Sequence, residues 1–90
     1  MDFEWDPAKV AKNLRKHGVS FDEGTTVFSD PLAYTFADPD HSLGEERWLT
    51  FGLSVSGRLL VISHLEHNGR IRFVSARKAT RHDRQIYEEG

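Results

Sequence analysis

Residues 47–78 read RWLTFGLSVSGRLLVISHLEHNGRIRFVSARK. Three runs in this stretch, Arg47–Val55, Arg58–His67 and Arg70 to about Ala76, are dense in β-branched, aliphatic and aromatic residues. Ser56-Gly57 and Asn68-Gly69 separate them, and Asn-Gly is the dipeptide best suited to the two positive φ angles of a tight hairpin turn. The stretch therefore reads as an antiparallel meander. If both turns hold two residues, the register follows. One face then carries Leu49, Phe51, Leu53, Leu60, Ile62, His64, Ile71 and Phe73, the side expected to meet helices. The other carries Trp48, Thr50, Leu59, Val61, Ser63, Leu65, Arg70, Arg72 and Val74, apolar in the middle and basic at one side. Such a face invites either a last helix or another chain, with Trp48, Val61 and Val74 as the expected partner-binding positions.

Upstream of the meander, Asp6-Pro7 has the form of a helix start, an acceptor at the cap and proline in the first turn. Val10 and Leu14 share a face, Lys9, Lys12 and Lys16 lie on the others, and His17-Gly18 ends the helix. Ser20-Phe21-Asp22-Glu23 has the capping-box form, so a second short helix starts near Phe21, closes at Val27-Phe28 and is broken by Asp30-Pro31. Leu32–Ala37 reads as a strand and Asp38–Gly44 as a polar loop. Thr80 or a neighbour caps a last helix that ends at Glu89-Gly90. The expected fold is α+β in the order α-α-β-β-β-β-α: two N-terminal helices, a four-stranded antiparallel sheet and a C-terminal helix in one domain over residues 1–90.

The chain has 90 residues, of which 38% are hydrophobic and 29% charged, a globular balance with a modest core. There is no cysteine, so disulfides and thiolate metal sites are excluded. The acidic N-terminus has no apolar run behind it. It reads as neither a signal peptide nor a membrane span, which points to the cytoplasm. The formal charge is −2, unevenly spread: residues 1–57 carry −5 and residues 58–84 carry +5. A basic segment inside a near-neutral domain can form a local phosphate site.

The histidines give no metal site. His64 and His67 are three apart on a strand and point to opposite faces, while His41 with Asp38 and Asp40 reads as a turn. No HExxH, glycine-rich phosphate loop or GxSxG elbow is present, so no metal and no cofactor is expected. The informative segment is Ser75-Ala76-Arg77-Lys78-Ala79-Thr80-Arg81-His82-Asp83-Arg84. Its cations gather where a strand gives way to a helix N-terminus, where they oppose the helix dipole. An anion site justifies that local cost. The other reading is a solvated basic turn with its arginines paired to Asp83, Glu88 or Glu89.

Two blocks carry a family likeness. Phe3-Glu4-Trp5-Asp6-Pro7-Ala8-Lys9 followed by Asn13-Leu14-Arg15-Lys16-His17-Gly18-Val19-Ser20-Phe21, and Ser75-Ala76-Arg77-Lys78-Ala79-Thr80 with Arg81, Arg84 and Tyr87-Glu88 beyond it, resemble the signature of BrnT-type toxins. The resemblance runs from Phe3 to about Glu89. It implies a RelE-like fold, a type II toxin–antitoxin toxin that cleaves RNA and blocks translation, and inhibition by a BrnA-like antitoxin held in a hetero-oligomer. Metal-independent cleavage needs a base for the 2′-OH, cations for the phosphate and an acid for the 5′-oxygen. Arg77 and Arg81 are expected to grip the phosphate, with Lys78, Arg84, Arg72 and Arg70 along the RNA. His64 is a catalytic candidate by residue type, although the register makes it a core histidine. Tyr87 could stack on a base, move a proton or pack the last helix. No single general base stands out. The competing expectations are a non-catalytic nucleic-acid-binding module and a pure protein-docking domain.

Overall fold

The computed structural model describes residues 1–40 and 46–90, so His41 and most of the expected polar loop lie outside the described residues. The elements are β1 (Phe3–Glu4), α1 (Pro7–His17), α2 (Phe21–Thr26) continued by a 3-10 turn (Val27–Ser29), β2 (Tyr34–Ala37), β3 (Trp48–Leu53), β4 (Leu59–His67), β5 (Arg70–Lys78) and α3 (Arg81–Glu89). The sheet order is β1-β5-β4-β3-β2. Two N-terminal helices, the meander and the C-terminal helix stand where the sequence puts them. The four-stranded antiparallel sheet is corrected to a five-stranded mixed one. The added β1 runs parallel to β5, pairing Phe3 with Ile71 and Glu4 with Arg72. Two residues are too few to show a strand period, which is why the sequence pattern missed it. No helix among the described residues is long and apolar enough to cross a membrane.

The two turns behave differently. At Asn68-Gly69 both residues have positive φ, 52° and 77°, and His67 pairs with Arg70, the expected two-residue turn. At Ser56-Gly57 the turn holds three residues. Gly57 N–H donates to the Ser54 carbonyl (2.9 Å), Gly57 takes φ 81°, and Ser54 N–H donates to the Arg58 carbonyl (2.8 Å). One extra turn residue slips the β3–β4 register by one and turns β3 over. Trp48, Thr50 and Gly52 therefore lie on the helix side, paired with His64, Ile62 and Leu60, while Leu49, Phe51 and Leu53 lie on the opposite side. Gly52 is the local reason: a Cβ there would come within 2.8 Å of Val27, so only glycine lets the 3-10 turn close over β3. A bulge opposite Ser63/His64 leaves Val74 as the extra residue in β5. Trp48, Val61 and Val74 consequently share no face, which corrects the expected partner surface. Trp48 pairs beside His64, Val61 is buried on the far side, and Val74 lines a cleft against α1.

On the helix side, Phe73 is the hub of the core. It is 1% exposed, and its ring lies 5.6 Å from Phe3, 5.7 Å from Trp5, 5.6 Å from Phe21 and 5.9 Å from Phe28. Leu60, Ile62, Val19, Val27 and Ala76 complete the buried cluster. The apolar far face is covered by α3, one of the two options the sequence left open. At its start buried Asp83 meets Arg77 of β5, and at its end Gly90 sits against Tyr34 of β2. Nine helical residues span about 14 Å, and so do the three strand spacings between β5 and β2.

Two polar clamps tie helices to the sheet. Asn13, buried on α1, donates to the carbonyls of Val19 and Ala76 (both 2.9 Å) and accepts from Ala76 N–H (3.2 Å). Its amide thus serves as a one-residue strand on the outer edge of β5. Glu23, in the first turn of α2, receives Arg58, Ser54 and Ser56 around the β3–β4 turn. Arg58 foremost, against the opposing effect of burial, pulls the Glu23 carboxyl down to about 2.

Asn13→Ala should cost on the order of 3 kcal/mol in chemical denaturation, because it orphans buried groups on β5; a loss below about 1 kcal/mol would show that water replaces the amide. Glu23 contributes stability that is whole above its ordinary value near 4.5 and is lost as pH falls toward 2. Glu23→Gln should flatten the acid limb of an unfolding titration in that window, and an unchanged limb would mean the clamp carries no stability.

Candidate functional site

The last turn of α1 (Lys16-His17-Gly18) and the end of β5 (Arg77-Lys78) come together at one end of the sheet, and Arg77 ties in the start of α3 through Asp83. Asn13 brings α1 there by docking it on Ala76, the residue before Arg77. The cleft between α1 and β5 encloses about 150 Å³ and is lined by Lys9, Lys12, Asn13, Lys16, His17, Val74 and Ser75. Lys9, Lys12 and Lys16 fall three and four apart and so share one helix face. Gly18 closes the helix at φ 67°, and the Lys78 ammonium lies 4.0 Å from where its Cβ would be.

Electrostatics distinguish the members of this cluster. Arg77 donates to Asp83 Oδ2 at 2.7 Å, and the same oxygen accepts from Thr80 N–H at 2.9 Å within a capping box. Burial pushes the Asp83 carboxyl up, but Arg77 and the Thr80 hydrogen bonds outweigh it, and the group stays below the usual carboxylate range. Asp83 therefore aims Arg77 from beneath, one of the pairings the solvated-turn reading named. Arg81 opens α3 and Arg84 follows one turn later; both are exposed. His17 is pushed below its ordinary value first by burial, then by the charges of Lys16 and Arg77, which leaves it neutral at pH 7.

The other sequence-chosen residues lie elsewhere. Arg70 and Arg72 are at the opposite end of β5, roughly 20 Å from Arg77 at strand rise. There Glu4 accepts from Arg72 at 2.7 Å and from His67 at 2.9 Å, and lies 3.8 Å from Arg70. His64 is buried on the helix side, as the register reading had it, although its β3 neighbour is Trp48 rather than Leu49. Its Nε2 meets Thr50 Oγ1 at 2.7 Å, Thr50 meets Thr35 at 2.7 Å, and Phe28 stands edge-on at 5.2 Å. Burial pushes His64 down to about 4. A second cleft of about 360 Å³, lined in part by Trp48, His64 and Arg70, opens beside it. Tyr87 donates to Asp30 Oδ2 at 2.6 Å, and that bond, with burial, lifts the phenol to about 12. It holds α3 to the segment before β2. The sequence reading named Arg77, Lys78 and Arg81 but missed Lys9, Lys12, Lys16 and His17 as their company. The lysine stripe was visible; the strand edge it faces was not.

A family model described as the ribonuclease toxin, BrnT, of a type II toxin–antitoxin system matches residues 5–83, which hold nearly all of the convergent cluster. The 1.1 Å crystal structure of the Brucella abortus ribonuclease toxin BrnT superposes with a TM-score of 0.70 at 20% identity, covering 90% of this chain and 99% of that one. At that identity the likeness is one of fold. No curated protein matches the chain. With most of its length inside the family's pattern and its architecture repeated in that crystal structure, the chain belongs to the BrnT family of ribonuclease toxins of type II toxin–antitoxin systems.

Proposed function

We propose that this protein is a metal-independent endoribonuclease that cleaves RNA through its own 2′-OH, inhibits translation in the cytoplasm and is neutralised by a BrnA-like antitoxin. The observation that carries the reading is the meeting of the α1 cleft, lined by Lys9, Lys12, Lys16 and His17, with the cationic end of β5, where Lys78 reaches Gly18 and Arg77 is fixed by buried Asp83. A fixed guanidinium fork meets two phosphate oxygens at little entropic cost as charge develops on them. Arg77 and Arg81 take the scissile phosphate, Lys78 and Arg84 its neighbours. Arg70 and Arg72 contact more distant RNA at most, since Glu4 already holds them. His64 and Tyr87 serve the fold, the first through the threonine pair and the second through Asp30.

The antitoxin in this reading needs no part in covering the sheet, because α3 does that. It covers the cation end instead, presenting carboxylates to Arg77, Lys78 and Arg81 with apolar anchors beside them in a hetero-oligomer.

Expression of the chain alone should arrest bacterial growth, and the purified protein should cut RNA in excess EDTA; cleavage that requires added metal would overturn the mechanism. Arg81→Ala should lower the rate on the order of 10²-fold with an unchanged thermal midpoint. Arg77→Lys should lose activity while keeping a charge beside Asp83. An Arg81→Ala protein with full activity would place the phosphate elsewhere. His64→Ala should lose stability more than activity in the same assays, and a stable, inactive variant would restore His64 to the chemistry.

A further inference from the structure

We infer that His17 is the general base that takes the 2′-OH proton in this cleavage, an inference that rests on the ribonuclease reading above. Four described histidines are available to the chemistry. His64 is buried and tied to Thr50, and His67 is tied to Glu4 at the far end of β5. His82 stands exposed on α3 and is not among the side chains lining the α1–β5 cleft. His17 alone of the four lines that cleft, half-buried, alongside Lys9, Lys12 and Lys16. Arg77, the residue best placed to hold a phosphate, is near enough for its charge to act on the His17 ring.

The position suits a base. A neutral imidazole beside anchored cations meets an incoming phosphate whose negative charge offsets theirs, so the ring gains basicity as the substrate binds. The C-terminal end of the α1 dipole favours the imidazolium that forms. The proton of the 2′-OH passes to His17 as the 2′-oxygen bonds to phosphorus. The bond from phosphorus to the 5′-oxygen breaks, and that oxygen takes a proton from a lysine ammonium of the same cleft. The products are a 2′,3′-cyclic phosphate and a free 5′-OH, and solvent exchange restores both side chains. The charged groups facing His17 are Lys16 and the cleft lysines from its own helix, and Arg77 from β5. All are cations, so they hold the ring ready as a base.

The test compares wild type, His17→Gln and His17→Ala in cleavage of a short RNA across pH 5 to 9. Binding of a 2′-deoxy analogue, which cannot be cut, is measured in parallel. Both variants should lose at least ~100-fold in kcat while binding the analogue as tightly as wild type. The acid limb of the wild-type pH–rate profile should vanish in both, and added imidazole should restore part of the His17→Ala rate. Variants within about threefold of wild type, with the same acid limb, would overturn the assignment and leave the nuclease reading standing. Equal losses in rate and in analogue binding, without imidazole rescue, would also overturn it, by making His17 a packing residue. A wild-type protein that cuts no RNA would overturn the nuclease reading and this assignment together.

Discussion

One buried side chain sets the geometry on which the cation cluster depends. Asn13 presents a donor and an acceptor to the backbone of Ala76 and a second donor bond to Val19, so α1, the segment leading into α2 and the outer edge of β5 meet at a single amide. Backbone groups on a strand edge must be paired if they are buried, and β1 is only two residues long. Asn13 supplies the pairing that β1 does not extend to reach. No apolar residue could do this. Aspartate could accept from Ala76 N–H but would set its own charge against two carbonyls.

The consequences run in both directions from that contact. Toward the core, it holds α1 so that Trp5, Phe21 and Phe3 close on Phe73. Toward the surface, it holds the last turn of α1 against the end of β5, so the lysines and His17 of α1 line a cleft with Val74 and Ser75 while Lys78 and Arg77 come up beside its last turn. Those cations repel one another, and Arg81 also sits where the α3 dipole is positive. The cost is contained by Asp83, which caps α3 and pairs with Arg77 at once. An apolar or neutral surface at this end would avoid that repulsion. The far end of β5 shows the contrast, since there Glu4 pairs with Arg72 and lies 3.8 Å from Arg70.

The two faces of the sheet divide the work. The helix side buries the aromatic cluster, with His64 neutral at its margin. The far side is closed by α3, held at both ends by polar contacts through Arg77–Asp83 and Tyr87–Asp30. Because α3 closes that face, Phe51, Leu59 and Val61 are buried there.

Local patterns were legible in the sequence. Asp6-Pro7, Ser20-x-x-Glu23 and Thr80 start three helices where they stand, and Asn68-Gly69 makes the expected turn, because caps and tight turns are decided by residues within four positions of one another. The gathering of cations at residues 77–84 was legible for the same reason, and the burial of His64 followed from the Asn68-Gly69 turn, which sets its pairing with Phe73. The rest turned on contacts between distant residues. Whether Ser56-Gly57 takes two residues or three is settled by Gly52 beneath Val27 and by Glu23 reaching over the turn, and that one residue decided which face Trp48 and Phe51 occupy. A two-residue β1 has no period to read, and only the edge of β5 makes it a strand. The lysines and His17 of α1 were plain as a helix face, but a helix pattern gives no direction in space. Their meeting with Arg77 was decided by a hydrogen bond between residues 63 positions apart.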